Sequence, residues 1–290
     1  TSGHTITIED SSITTTKTDN GTGIYLPSWD STLTVTESDI TGPTGIEIRA
    51  GTLNVNSGSN ITGTGTYSVS SNGSGTTTVG AGIAVMQHTT GENIQVNITG
   101  GTVTGERSIA EANPQENPEE ETNKIEINIT GGSFIGDVES KDVTGFIRGG
   151  SFSSDVKRYV AENHDELVTN QISTPYIVGQ FTDGSAASAM GQQTVYKVTQ
   201  TNSDGKLIDV YYLTEKEAQD AAGPGGTVIT VTRPSTGSSS SSSSSSQKTP
   251  YQEERPFWDR VVNRIEDAEA GDTVKANAES CTLVPFDVLD

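Results

Sequence analysis

The sequence predicts a mainly β chain built on a right-handed parallel β-helix, and three observations carry that expectation. Near-identical phrases recur: "ENIQVNITGGTVTG" at 92–105, "NKIEINITGGSFIG" at 123–136, and a shorter echo, "VTGFIRGGSF", at 143–152. Apolar–x–apolar pairs form a ladder whose first members, Ile6, Leu33, Leu53, Ile94 and Ile125, stand 27, 20, 41 and 31 residues apart. The chain is only 30% hydrophobic but carries 32 glycines, and Ile and Val dominate its apolar positions, which suits short strands joined at glycine bends.

A unit that stacks on copies of itself explains the repetition, because no single turn can bury its own apolar face. Alternation with a period of two sends Ile or Val inward and Thr, Gln, Glu or Asn outward. An amphipathic helix fails on that spacing and on the abundance of Thr, Gly and β-branched residues. An antiparallel sandwich also uses short strands and glycine turns, but the repeated order of strand types favours the β-helix. The step of 41 residues predicts a further turn hidden in "TYSVSS" and "TTTVGAG". The alignment of pairs places Val35, Val55, Val96 and Ile127 in one inward column. Residues 112–122, "ANPQENPEEET", combine two prolines with four glutamates and should project as a loop, since neither fits a central ladder.

Residues 127–163, with "GGSFIGDV" and "GFIRGGSFSSDVKRYVAEN", resemble the end of β-helical regions in surface proteins of Gram-positive bacteria. That family repeats "ISGGTF" phrases and closes on "GGTFSxDxxxYVAE". The matching positions are Gly149, Gly150, Ser151, Phe152, Ser153, Asp155, Tyr159 and Val160. The resemblance covers residues 1–164 and implies a secreted or cell-surface setting. It implies an adhesin-like or scaffold role and carries little information about activity.

Beyond 164 the period changes. Residues 165–234 read as a small α+β module. It has a strand in "TPYIVGQF", a hairpin turning at residues 202–205, a helix opened by the capping box Thr214 and Glu217, and a strand in "GTVITVTR". Residues 235–250, with nine consecutive serines at 238–246, read as a flexible linker. Residues 251–290 predict a partial helical module: Phe257, Val261, Val262 and Ile265 share one face between Pro256 and Gly271. Its "FW…GDTV…VL" pattern resembles a module of similar surface proteins, of which only the first part is present.

A net charge of −21 argues against nucleic acid and against anionic membrane surfaces. No segment has the length of apolar sequence a membrane helix needs. The single cysteine, Cys281, makes no intrachain disulfide and reads as a core thiol. No His/Cys metal spacing, phosphate loop or nucleophile elbow occurs, so neither catalytic nor metal residues nor a cofactor are expected.

Sugar-cleaving enzymes commonly use a β-helix, and their chemistry needs paired carboxylates facing one groove. Glu9, Glu37, Glu47, Asp10 and Asp39 are outward candidates, and an outward set of three carboxylates with a basic residue would favour an enzyme. A Thr/Asn face would favour a scaffold. Sugar binding draws instead on Tyr25 and Trp29 in "GIYLPSWDS": Trp29 is either an exposed stacking platform or a cap over the open end. The expectation is an extracellular scaffold binding glycan or another surface protein, with a polysaccharide lyase or hydrolase as the alternative.

Overall fold

A computed structural model describes residues 3–15 and 20–233; the serine run, the tail module and Cys281 lie outside the described residues. The fold is mainly β with parallel sheets, and the described residues form one compact unit.

The chain repeats a three-strand tier. Thr5–Glu9 (β1), Ser12–Thr14 (β2) and Thr22–Leu26 (β3) make the first, and Thr32–Thr36 (β4), Asp39–Gly42 (β5) and Thr44–Ile48 (β6) the second. The third uses Gly51–Val55 (β7) and Asn60–Gly63 (β8). An excursion carrying Ser68–Val69 (β9) and Thr78–Val79 (β10) follows, before Ala81–Val85 (β11). Ile94–Ile98 (β12) and the long Thr102–Glu111 (β13) form the fourth tier. After a one-turn helix, Glu119–Thr122 (α1), Ile125–Ile129 (β14) and Ser133–Ser140 (β15) form the fifth, and Gly150–Phe152 (β16) belongs to a sixth.

Equivalent strands pair in parallel from tier to tier. The first stack runs β1-β4-β7-β12-β14 and the second β2-β5-β8-β13-β15-β16. The third runs β3-β6-β11-β13. Apolar residues of all three stacks join in one buried cluster, with Val35, Ile40, Ile46, Val96 and Ile109 fully covered.

The structure departs from the sequence expectation at two places. No turn is hidden in the long step: β7 pairs directly with β12, and the "TYSVSS…TTTVG" segment forms the antiparallel pair β9–β10 instead. The inward column is also shifted. Leu53 faces Val96 and Val55 faces Ile98, so the columns are Ile6-Leu33-Leu53-Val96-Ile127 and Ile8-Val35-Val55-Ile98-Ile129. The phrases "IQVNI" and "IEINI" offer three apolar positions, and aligning on the first put the register off by two. Gly51, not an apolar residue, lies opposite Ile94.

A glycine row explains how tiers approach so closely at one bend. A β-carbon on Gly45 would lie 2.5 Å from Gly82 O and 2.7 Å from Ile61 Cγ2, and one on Gly23 would lie 2.6 Å from Gly45 O. Outside the first stack, side chains form a ladder of amides. Asn54 Nδ2 donates to Thr34 Oγ1 (3.3 Å), Asn97 Nδ2 to Asn54 Oδ1 (2.9 Å), Asn128 Nδ2 to Asn97 Oδ1 (3.4 Å) and Arg148 Nη1 to Asn128 Oδ1 (3.0 Å). Each amide both donates and accepts, so removing the central one should break two links. Asn97→Ala is expected to cost about 1–2 kcal/mol, measurable as a lowered midpoint in urea with an unchanged m-value.

The last parallel strand passes into an antiparallel module. β16 pairs with Tyr176–Gly179 (β18), which pairs with Asp165–Val168 (β17). β17 then runs parallel to Leu207–Tyr212 (β20), which pairs antiparallel with Thr194–Thr201 (β19), itself paired on its far side with Ile229–Thr232 (β21). The hairpin turn, the capping box of Thr214 on Glu215–Ala222 and the final strand lie where the sequence places them. Asp183–Ala189 (α2) and β17 were not expected. Just before the junction, Phe134 of β15 and Phe152 of β16 stack at 4.7 Å. At that junction Glu166 is buried, its Oε1 accepting from Val156 N at 3.1 Å. Burial, reinforced by Asp155, pushes its carboxyl up to about 8.

Candidate functional site

Trp29 follows β3 in a two-residue turn with Asp30 and is 52% exposed. It is therefore not a cap closing over the core. It borders a hollow of about 340 Å³ lined also by Asp30, Thr52, Glu92, Asn93, Gln95, Lys124 and Glu126. Local sequence explains the placement. Thr52, Gln95 and Glu126 are the outward members of successive strands and lie side by side in register. Glu92 and Lys124 stand just before β12 and β14, where each tier enters the first stack. An indole face beside amides, carboxylates and an ammonium suits a ligand that is flat and apolar on one side and rich in hydroxyls around its rim.

Tyr25 is not part of this hollow. It lies in strand β3, not in the loop, and its hydroxyl accepts from Gly75 N at 3.1 Å. Tyr25 instead helps to hold the excursion at 64–80 against the third stack. Glu47, expected to face outward, is fully buried beneath that excursion. It accepts from Thr77 N, Thr77 Oγ1 and Thr78 N at 2.8–3.1 Å. Burial raises its carboxyl above the ordinary value despite these donors and the nearby Arg49. Arg49, also buried, donates from Nε to Met86 O (3.1 Å) and from Nη1 to Asn72 O and Gly75 O (2.9 and 2.6 Å). Small residues leave room for the excursion: Ala81, Ala84 and Ala110 sit under Tyr67 and Val69. Glu47 and Arg49 thus point away from the core yet are sealed by the next loop, which period-two reading alone could not reveal.

The prolines and glutamates of 112–122 form a loop ending in α1, knitted to its neighbours. Asn117 Nδ2 donates to Gln87 Oε1 and His88 O, both at 2.9 Å, and Gln115 Nε2 donates to Asn72 O at 3.0 Å. The other carboxylate candidates lie at strand ends and at the bends between strands. Glu9 ends β1, and Asp10 and Glu37 hold left-handed bends between the first and second stacks (φ 48° and 46°). Asp39 accepts from Asn60 Nδ2 at 2.9 Å.

A different set comes together on the third stack. Arg107 donates from Nε to Glu139 (2.7 Å) and from Nη1 to Asp137 (2.9 Å), and lies 4.8 Å from the Tyr67 ring centre. Glu106 accepts from Tyr67 N at 2.7 Å. Three carboxylates and one arginine therefore share a surface, the combination that sequence reasoning associates with an enzyme. The guanidinium engages two of them, however, and its charge is held by those carboxylates, Glu139 foremost. No group of His, Cys, Asp and Glu able to hold a metal occurs among the described residues, nor is any helix there long and apolar enough to cross a membrane.

Comparison with family models, with curated proteins and with solved structures returns no match for this chain.

Proposed function

We propose that the tiers wind as a right-handed parallel β-helix, and that the protein is an extracellular, cell-surface scaffold of Gram-positive type which binds glycan through the Trp29 hollow. The observation that carries this reading is a half-exposed indole beside a polar hollow on an otherwise Thr/Asn-faced stack. Sugar rings present an apolar face for stacking and a rim of hydroxyls for amides and carboxylates. The strong negative charge of the chain favours neutral or amino-bearing sugars over uronic acid polymers.

The test is retention of the protein on insoluble neutral and amino-sugar polymers. Trp29→Ala should reduce retention at least about fivefold, matching loss of a stacking contact worth about 1–3 kcal/mol. Tyr25→Phe should leave retention unchanged. Equal retention of the Trp29→Ala variant would sink the assignment.

The Glu106, Arg107, Asp137 and Glu139 surface favours a second reading, a polysaccharide lyase or hydrolase. An assay for new reducing ends and unsaturated products from pectin-, alginate- and chondroitin-type polymers, with and without calcium, decides between them. The scaffold reading expects no turnover. Turnover lost in Glu139→Gln would establish the enzyme.

A further inference from the structure

We propose that the outer edge of β14 is an acceptor slot for an extended peptide, which adds there as one more parallel or antiparallel strand. In a strand, the N–H and C=O of alternate residues point to opposite edges. Ile94 N donates to Lys124 O and Thr130 N donates to Ile98 O, so the even-numbered residues of β14 face β12. Ile129 N donates to Phe146 O, and Ile129 O accepts from Arg148 N, so the odd-numbered residues face the sixth tier. Only Ile129 is met there, through the single parallel bridge to Ile147. Among the described residues no backbone partner meets Ile125 and Ile127 on that edge.

The incoming chain at 143–146 diverges from β14 instead of pairing with it. Gly145 sits in the left-handed region (φ 58°), and Val143 N is drawn to Ser140 Oγ and the Glu111 carboxylate. Between the two lies a hollow of about 280 Å³, bordered by residues 125–128 on one side and by Val143, Phe146 and Arg148 on the other. It has the length of β14 from 125 to 128, roughly 13 Å at the rise of a strand, enough for about four extended residues.

The chemistry of the occupant follows from the walls. Two N–H and two C=O groups repeating every second residue match the backbone of an extended polypeptide. Inward side chains of the guest would meet Val143 and Phe146, so they should be small or apolar. An outward side chain would lie beside Glu126, for which a lysine is complementary, and a following amide would take the place of Arg148 as donor to Asn128 Oδ1. The partner is thus an extended segment of apolar–basic–apolar–amide pattern. The inference stands apart from glycan binding at Trp29, although Glu126 borders both hollows.

Amide hydrogen exchange tests it in two stages. In the free protein, Ile125 and Ile127 amides should exchange at least a hundredfold faster than those of Glu126 and Asn128; equal protection would mean the edge is already satisfied, overturning the proposal. With the capped peptide acetyl-Val-Lys-Val-Asn-Thr-amide at millimolar concentration, the Ile125 and Ile127 amides should slow at least tenfold. The same peptide N-methylated at alternate residues should have no effect, and Glu126→Lys should weaken binding about tenfold, with a glutamate-for-lysine peptide restoring it. Protection by soluble oligosaccharides and not by the peptide would assign the slot to sugars and overturn the inference, as would no protection by either.

Discussion

Replacing Glu166 by glutamine should stabilise the protein at pH 9 and flatten its stability between pH 5 and 8. The carboxyl is buried at the junction of the parallel and antiparallel sheets, facing Asp155, Lys157, Tyr176 and Tyr212, and titrates near 8 in the fold against an ordinary value of 4.5. Below pH 4.5 both folded and unfolded chains carry the proton, so the group contributes no pH dependence. Above it the unfolded chain ionises first, while the folded chain keeps its proton until about 8. Stability should therefore fall by about 1.4 kcal/mol per pH unit through that window, totalling roughly 3–5 kcal/mol. Glutamine keeps an acceptor for Val156 N without a charge to desolvate. Urea titrations at pH 4, 6 and 9 should show the variant and the parent alike at pH 4 and separated at pH 9. Parallel curves at all three values would show that Glu166 ionises freely in the fold.

Gly45→Val should do the reverse and prevent stable folding. Its β-carbon would lie 2.5 Å from a backbone oxygen of the next tier and 2.7 Å from Ile61. Neither neighbour can retreat without unpairing β6 from β11 or opening the core. A loss of about 4 kcal/mol or more is expected, a large share of the total stability of an ordinary domain. Gly73→Ala is the control, because nothing lies within 4 Å of its added carbon and its φ is ordinary. Circular dichroism and urea melts should find Gly73→Ala native and Gly45→Val unfolded or severely weakened.

What was legible in the sequence was whatever depends on a period of two. The parallel strands of the first stack, their inward and outward faces, the hairpin at 202–205 and the Thr214 capping box all follow from local pattern. Register did not, because three alternate apolar positions in "IQVNI" admit two alignments and only packing against β7 chooses between them. Burial of Glu47 and Arg49 was hidden for a related reason: their cover comes from residues 72–78, whose own pattern looked like another strand tier. Half of the candidate site could be read. Trp29 stood out as an aromatic in a polar loop, whereas Lys124, Glu92 and Gln95 join it only through tier stacking.

Both the Trp29 hollow and the β14 edge depend on how β7, β12 and β14 stack, and paired cysteines test that register directly. In a Cys281→Ser background, cysteines at Asn54 and Asn97 occupy directly opposed outward positions, at the strand separation a disulfide accepts. Cysteines at Asn54 and Gln95 represent the alignment that the repeat alone suggests. Under mild oxidation the first pair should close rapidly and raise the urea midpoint, and the second should remain reduced. Preferential closure of the Asn54 and Gln95 pair, or of neither, would contradict the stacked arrangement on which the sites rest.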